Sequence, residues 1–243
     1  MVSTYDLVVA SVSVLLSLAT VIVCLWRRCF LRYVFLNLYL IASMGFTIGC
    51  HYVVQTSGYT SLPYFYFYYT ADAILNIIGY LLVASFFDQM FRRSILRPYV
   101  RPTLAIFFLG VVGVSGLFIS RNVSHLYSRF VIEFEQNMFF VGVLLTFLLW
   151  ISMSYLRAES RRFVLLVSGL GIYFSAHAAN YALQFLFRGL ADVLASVPPF
   201  AYTFMVLLWL YTFWGVPEGE PMVEPAGRLE PREARVKVQI SRE

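Results

Sequence analysis

The sequence predicts an all-helical membrane protein of seven spans. Seven long apolar stretches fill almost the whole chain, arginine-rich connections alternate with arginine-poor ones, and 60% of the residues are hydrophobic against 13% charged. A soluble globular domain carries about 25% charged residues, so water is not the solvent of this chain. Roughly 20 apolar residues suffice for a helix to cross a hydrocarbon core about 30 Å thick. No segment alternates polar and apolar residues as a barrel strand would. A bilayer offers unpaired backbone groups no partner, so a helical bundle is the class that remains.

The spans are read as Tyr5 to Trp26, Tyr33 to Val54, Tyr64 to Met90, Pro102 to Ser120, Phe130 to Leu156, Phe163 to Phe187 and Phe200 to Val216. The first has no basic residue ahead of it and arginines behind it, which is the pattern of a retained helix with a translocated N-terminus. A cleaved signal would need a basic start and a small-residue cleavage site. Between spans one and two lie Arg27, Arg28 and Arg32; between three and four, Arg92, Arg93, Arg97 and Arg101; between five and six, Arg157, Arg161 and Arg162. The alternate connections hold Arg121, Arg129 and Arg188. The bias places the N-terminus outside and the C-terminus in the cytoplasm, in a plasma (cytoplasmic) membrane. The net charge of +5 is thereby a topology signal, and no nucleic-acid partner is implied.

Composition changes after Val216. Pro217, Pro221, Pro225 and Pro231, interleaved with Glu218, Glu220, Glu224, Glu230 and Glu233, cannot build a core. Residues 1–216 are therefore expected to form the transmembrane domain and 217–243 a flexible cytoplasmic tail without a catalytic output domain. Cys24, Cys29 and Cys50 do not form an extracellular disulfide framework. Cys29, near the cytoplasmic end of span one, is expected to be a plain buried or interfacial thiol that a reagent reaches from the cytoplasmic side alone, with palmitoylation as the alternative. Asn122-Val123-Ser124 matches a glycosylation acceptor on the outer side.

An internal repeat links the two ends. His51-Tyr52-Val53-Val54-Gln55 corresponds to Asn180-Tyr181-Ala182-Leu183-Gln184 at a shift of 129 positions, which also superposes Arg32 on Arg161 and Asp6 on Glu135. Phe67-Tyr68-Tyr69-Thr70 is similar to Phe200-Ala201-Tyr202-Thr203, with Pro63 and Pro198 ahead of them. Two parallel three-helix repeats around a linking fourth span are the architecture this suggests; chance similarity in aromatic-rich sequence is the alternative. The plan resembles that of the SWEET and PQ-loop sugar carriers, but spans one and five lack the proline those carriers have there, so no binding residue carries over. Microbial rhodopsins share the length and topology, yet the one lysine is Lys237 in the tail, so a retinal Schiff base is excluded.

Polar residues within the spans carry the functional reading, because each charged group at depth costs several kcal/mol and normally faces the bundle interior or a wet cavity. Asp72 and Asn76 lie one turn apart on the face of span three that also bears Tyr69 and Gly79. Glu133, Gln136 and Asn137 share a face of span five, with Glu135 directed elsewhere. Span six offers Tyr173, His177, Asn180, Tyr181 and Gln184, and span two offers Ser43, Thr47, His51 and Gln55. All four stripes fall in the outer half. They predict an outward-facing polar and aromatic cavity, with Asp72, Asn76, Tyr69, Glu133, Asn137, His177, Asn180, Tyr181 and His51 as candidate ligand-binding residues. The competing explanation is that these groups join helices to one another without binding anything; Glu133 and Glu135 would then reach up to the surface.

Three roles follow. The first is binding of a small molecule or ion, carrier-like or receptor-like, with the lipid bilayer as environment and a cytoplasmic or membrane protein as partner. The second is haem or metal binding through His51 and His177. Their depths differ by roughly 6 Å by helical rise, which disfavours a bis-histidine haem; a zinc set would add Asp72 and Glu133. The third is a structural or assembly subunit of a membrane complex. No catalytic constellation emerges, so the expectation is binding without catalysis.

Overall fold

The computed structural model describes residues 4–119, 126–156, 160–187, 189, 194 and 196–217. The acceptor triplet at Asn122 and the tail from residue 218 onward lie outside the described residues. Within them the chain forms seven α-helices and no β-strand: α1 (Thr4–Trp26), α2 (Val34–Ser57), α3 (Leu62–Met90), α4 (Arg97–Ile119), α5 (Leu126–Leu156), α6 (Arg161–Leu186) and α7 (Val197–Gly215), with one 3₁₀ turn at Phe91–Arg93. All seven are long and apolar enough to cross a membrane.

Several helices begin earlier than their apolar runs, for local reasons. Ser61 caps α3 by accepting a hydrogen bond from the Tyr64 amide (3.2 Å), and Pro63 in the first turn forfeits an amide that would have had no partner. Ser160 does the same for α6 through the Phe163 amide (3.4 Å). The turn after α2 uses Gly58 at φ 81°, a left-handed conformation that glycine adopts without steric cost.

Neighbouring helices form a ring in the order α1, α2, α3, α5, α6, α7 and back to α1, with α4 outside it against α5 and α3. Inside the ring, the half of the bundle holding the C-terminal end of α1 is solid. Leu36 and Leu40 of α2, Leu82, Val83 and Phe86 of α3, Leu145 and Leu149 of α5, Leu166 and Leu170 of α6 and Trp209 and Phe213 of α7 are all fully buried. In a bilayer such contact surfaces associate through close packing and hydrogen bonds, since lipid tails are as apolar as leucine. Small residues bring the helices together: the Phe174 ring lies so near Gly142 that a Cβ there would meet it at 2.8 Å.

Hydrogen bonds complete the seams. Ser13 pairs with Thr203 (2.9 Å) and Ser17 with Tyr202 (3.0 Å), tying α1 to α7; the Trp209 indole donates to the Leu166 carbonyl (3.0 Å), tying α7 to α6. The α7 C-terminus is held by two arginines. Arg162, 3% exposed, donates twice to the Val216 carbonyl (3.2 and 2.6 Å), and Arg27 donates to the Trp214 carbonyl (2.8 Å). Cations suit that position because the last carbonyls of a helix lack internal partners and carry its negative dipole end.

Gly142→Val should cost about 1–3 kcal/mol of bundle stability by overpacking against Phe174. Gly113→Ala on α4, where an added Cβ meets nothing within 4 Å, should cost nothing. Unfolding titrations of the two variants in one detergent check the contrast. Equal stability of the two variants would mean that α5 and α6 are not in close contact at Gly142.

Candidate functional site

Toward the end of the bundle that holds the N-terminus, the packing opens into two cavities. The larger, about 720 Å³, lies among α1, α2 and α3, where Asp72, Tyr64 and Tyr68 of α3 face Ser43, Thr47, Cys50 and His51 of α2 and Ala10, Ser11 and Val14 of α1. The smaller, about 520 Å³, lies among α1, α2, α6 and α7, with Tyr39, Tyr173, His177, Pro198 and Tyr202 in its wall. Ala10, Ser43, Thr47 and Leu75 line both, so the two spaces adjoin across one face of α2.

An aromatic layer separates this region from the solid half. The Tyr39 hydroxyl donates to that of Tyr173 (3.1 Å), and the Tyr39 ring lies 6.4 Å from Tyr202 and 6.5 Å from Trp209. Edge-to-face and tilted arrangements at these separations are favourable for aromatic pairs. Above the layer, the His177 ring stacks on Phe139 at 4.2 Å and lies 4.5 Å from Tyr173. The imidazole is thereby held flat between α5 and α6 at the edge of the smaller cavity.

Asp72 is half-buried on α3. Its carboxyl lies within reach of the Glu135 carboxyl on α5, and Glu135 in turn lies within reach of the Tyr181 hydroxyl of α6. The three side chains connect α3, α5 and α6 at one level. Glu135 was not among the candidates, because its position on α5 sets it off the stripe of Glu133, Gln136 and Asn137. Its match with Asp6 in the repeat was the one signal at this position, and it said nothing about contact with α3.

The remaining candidates divide. His177 lines the smaller cavity, and His51 lines the larger one while its Nε2 pairs with the Gln55 amide nitrogen (2.8 Å). Asn76 is buried and donates within its own helix to the Asp72 backbone carbonyl (3.1 Å). Asn180 is 5% exposed and its Oδ1 has no hydrogen-bond partner. Tyr69 lines neither cavity; its ring meets that of Phe65 edge-to-face at 4.7 Å, and the adjacent Tyr68 faces the larger cavity instead. Glu133 is half-buried and also lines neither. Asn137 turns the other way and donates to the Ser115 hydroxyl of α4 (3.1 Å). A shared face on one helix does not say which neighbour that face meets, and here part of the α5 stripe meets α4.

Two further expectations are corrected. Cys29 is 3% exposed, with its thiol donating to the Cys24 carbonyl (3.5 Å), so it is a buried thiol, as one of the two readings had it, and not one open to a reagent from the cytoplasmic side. The proposed zinc set does not assemble: among the described residues no three His, Cys, Asp or Glu side chains converge as metal ligands. His51 and His177 belong to different cavities. Compared with known proteins, the chain matches no family model, no curated protein and no solved structure.

If Asn137 is a joint between helices, Asn137→Ala should lower stability by about 1 kcal/mol, the usual worth of one such bond in a bundle. Ser115→Ala should cost a similar amount, and the double variant little more than either alone. Additive losses in the same unfolding titration would show that the two side chains do not act as a pair.

Proposed function

We propose that the protein is an integral membrane protein whose outward-facing cavity binds a small molecule or ion, in a carrier-like or receptor-like role. The observation that carries this reading is the asymmetry of the bundle. One half is packed solid, while the other holds two adjoining cavities whose walls present a carboxyl, two histidines and several tyrosines. Volumes of about 300–1,000 Å³ with few polar groups among apolar walls are typical of small-molecule sites.

Asp72 and Glu135 are the proposed responsive element. Two carboxyls near each other and half-buried in an apolar bundle favour a shared proton or a bound cation. The pair bridges α3 and α5, so a change in what it holds would act on the packing of those two helices. His177, held by Phe139 and Tyr173, is proposed to contact the ligand from the smaller cavity. Asn76, Asn137 and Gln55 are assigned to structure, on the hydrogen bonds they make.

The arginine distribution supports an outer location for the cavity end. The ring order supports the repeat: contacts of α1 with α2, α2 with α3 and α3 with α5 correspond to those of α5 with α6, α6 with α7 and α7 with α1. Ser61 and Ser196 are the N-caps of α3 and α7, and each is followed two residues later by proline. A second reading, as an assembly subunit, draws on a groove between α5 and α6 where Ser175, Ala178, Ala179 and Ala182 leave the outer surface shallow; small residues of this kind are common where membrane helices meet.

Orientation is tested with cysteine. Leu31, 84% exposed in the turn between α1 and α2, is replaced by Cys in a Cys50→Ala background; a membrane-impermeant maleimide should label it from the cytoplasmic side alone. Labelling in intact cells would reverse the topology. Cys50 of the wild type is half-buried in the larger cavity, whereas Cys24 and Cys29 are buried at the other end of the bundle, so Cys50 alone should react, and from the outside. Compounds that copurify with the wild type, identified by mass spectrometry, should be lost from Asp72→Asn while its helical content is unchanged. Identical compounds in both preparations would move the protein to the assembly role.

A further inference from the structure

Leu15 and Ile48 belong to the outward surface of the bundle, 64% and 58% exposed, yet both line the same cavity as Asp72. The larger cavity therefore reaches the lipid-facing side between α1 and α2 and runs inward to a carboxyl on α3. No lysine or arginine lines it. Two of its hydroxyls are already used within their own helices, Ser11 on the Leu7 carbonyl (2.7 Å) and Thr47 on the Ser43 carbonyl (2.8 Å), and His51 is taken up by Gln55. What is left for a ligand is apolar wall, the aromatic side chains of Phe46, Tyr59, Tyr64 and Tyr68, the small polar groups of Ser43 and Cys50, and one acidic group backed by a second, Glu135.

We propose that the larger cavity admits an apolar organic cation from the outer leaflet, through the opening between α1 and α2, and holds its charged centre at Asp72. The proposal rests on the cavity reading above and names its ligand class. Aromatic faces attract cations, most strongly where water is excluded. The apolar rim suits a ligand already dissolved in hydrocarbon, and an inorganic ion would gain nothing from that route. An organic anion would meet the carboxyl pair with no basic residue in the wall to offset it. A volume of about 720 Å³ leaves room for a body of several rings.

The test uses the full chain in lipid nanodiscs and two ions of nearly the same size and shape, tetraphenylphosphonium and tetraphenylborate. The phosphonium should bind saturably and protect Cys50 from alkylation by an impermeant reagent, and the borate should do neither at the same concentration. Asp72→Asn should weaken phosphonium binding at least tenfold. Leu15→Trp combined with Ile48→Trp should slow its association at least tenfold while Cys50 stays reactive to the aqueous reagent. Equal binding of the two ions by the wild type would overturn the charge assignment without recourse to any variant. An unchanged association rate in the tryptophan pair would overturn the lateral route. If Cys50 reacts but the phosphonium neither binds nor protects, this inference fails and the cavity reading stands. If Cys50 does not react at all, the cavity reading fails with it.

Discussion

Hydrocarbon supplies no hydrogen-bond partners, and that constraint governs the rest of the structure. Seven helices satisfy their own backbones. The hydroxyls inside them then have two outlets. Some turn back on the helix, as Thr20 does on the Leu16 carbonyl (2.8 Å) and Thr146 on the Gly142 carbonyl (2.8 Å). Others cross to a neighbour, as Ser13 and Ser17 do to α7. Polar groups that take neither outlet gather at the N-terminal end of the bundle, around the cavities.

Tyrosine makes the change from packed to open interior workable. Its ring packs as a hydrophobe and its hydroxyl bonds sideways. Tyr39, Tyr173 and Tyr202 use both properties: their rings pack on one another, with Tyr39 also on Trp209, while their hydroxyls meet one another or Ser17 at the cavity floor. A leucine layer in their place would close the solid half equally well and leave the polar residues above it without a base to bond to.

At the opposite end the arginines combine two tasks. As a set they carry the charge bias on which the proposed orientation rests. Singly, Arg27 and Arg162 bind the open carbonyls of α7, and Arg101 pairs with Asp88 at 3.1 Å. Arg162 also lies over the Phe213 ring at 5.8 Å, where the guanidinium plane suits the aromatic face. The same residues that mark this end of the bundle in the sequence thus also close it.

The sequence by itself determined the number and rough bounds of the helices, because a span must be about 20 apolar residues long whatever surrounds it. It also determined that polar stripes crowd one half of the bundle, since depth along a helix is a matter of counting residues. It could not say which neighbour each stripe meets. That depends on the order of helices in the ring and on the rotation of each about its axis. Asp72 was legible as an acid too deep to be ignored, but its partner Glu135 was not, because only the packing of α3 on α5 brings two carboxyls 63 positions apart in sequence within reach of each other. Asn137 was legible as polar and misassigned for the same reason, its face being turned to α4. Tertiary packing decided these pairings, and it left a cavity among α1, α2 and α3 that no count of residues along one helix could reveal.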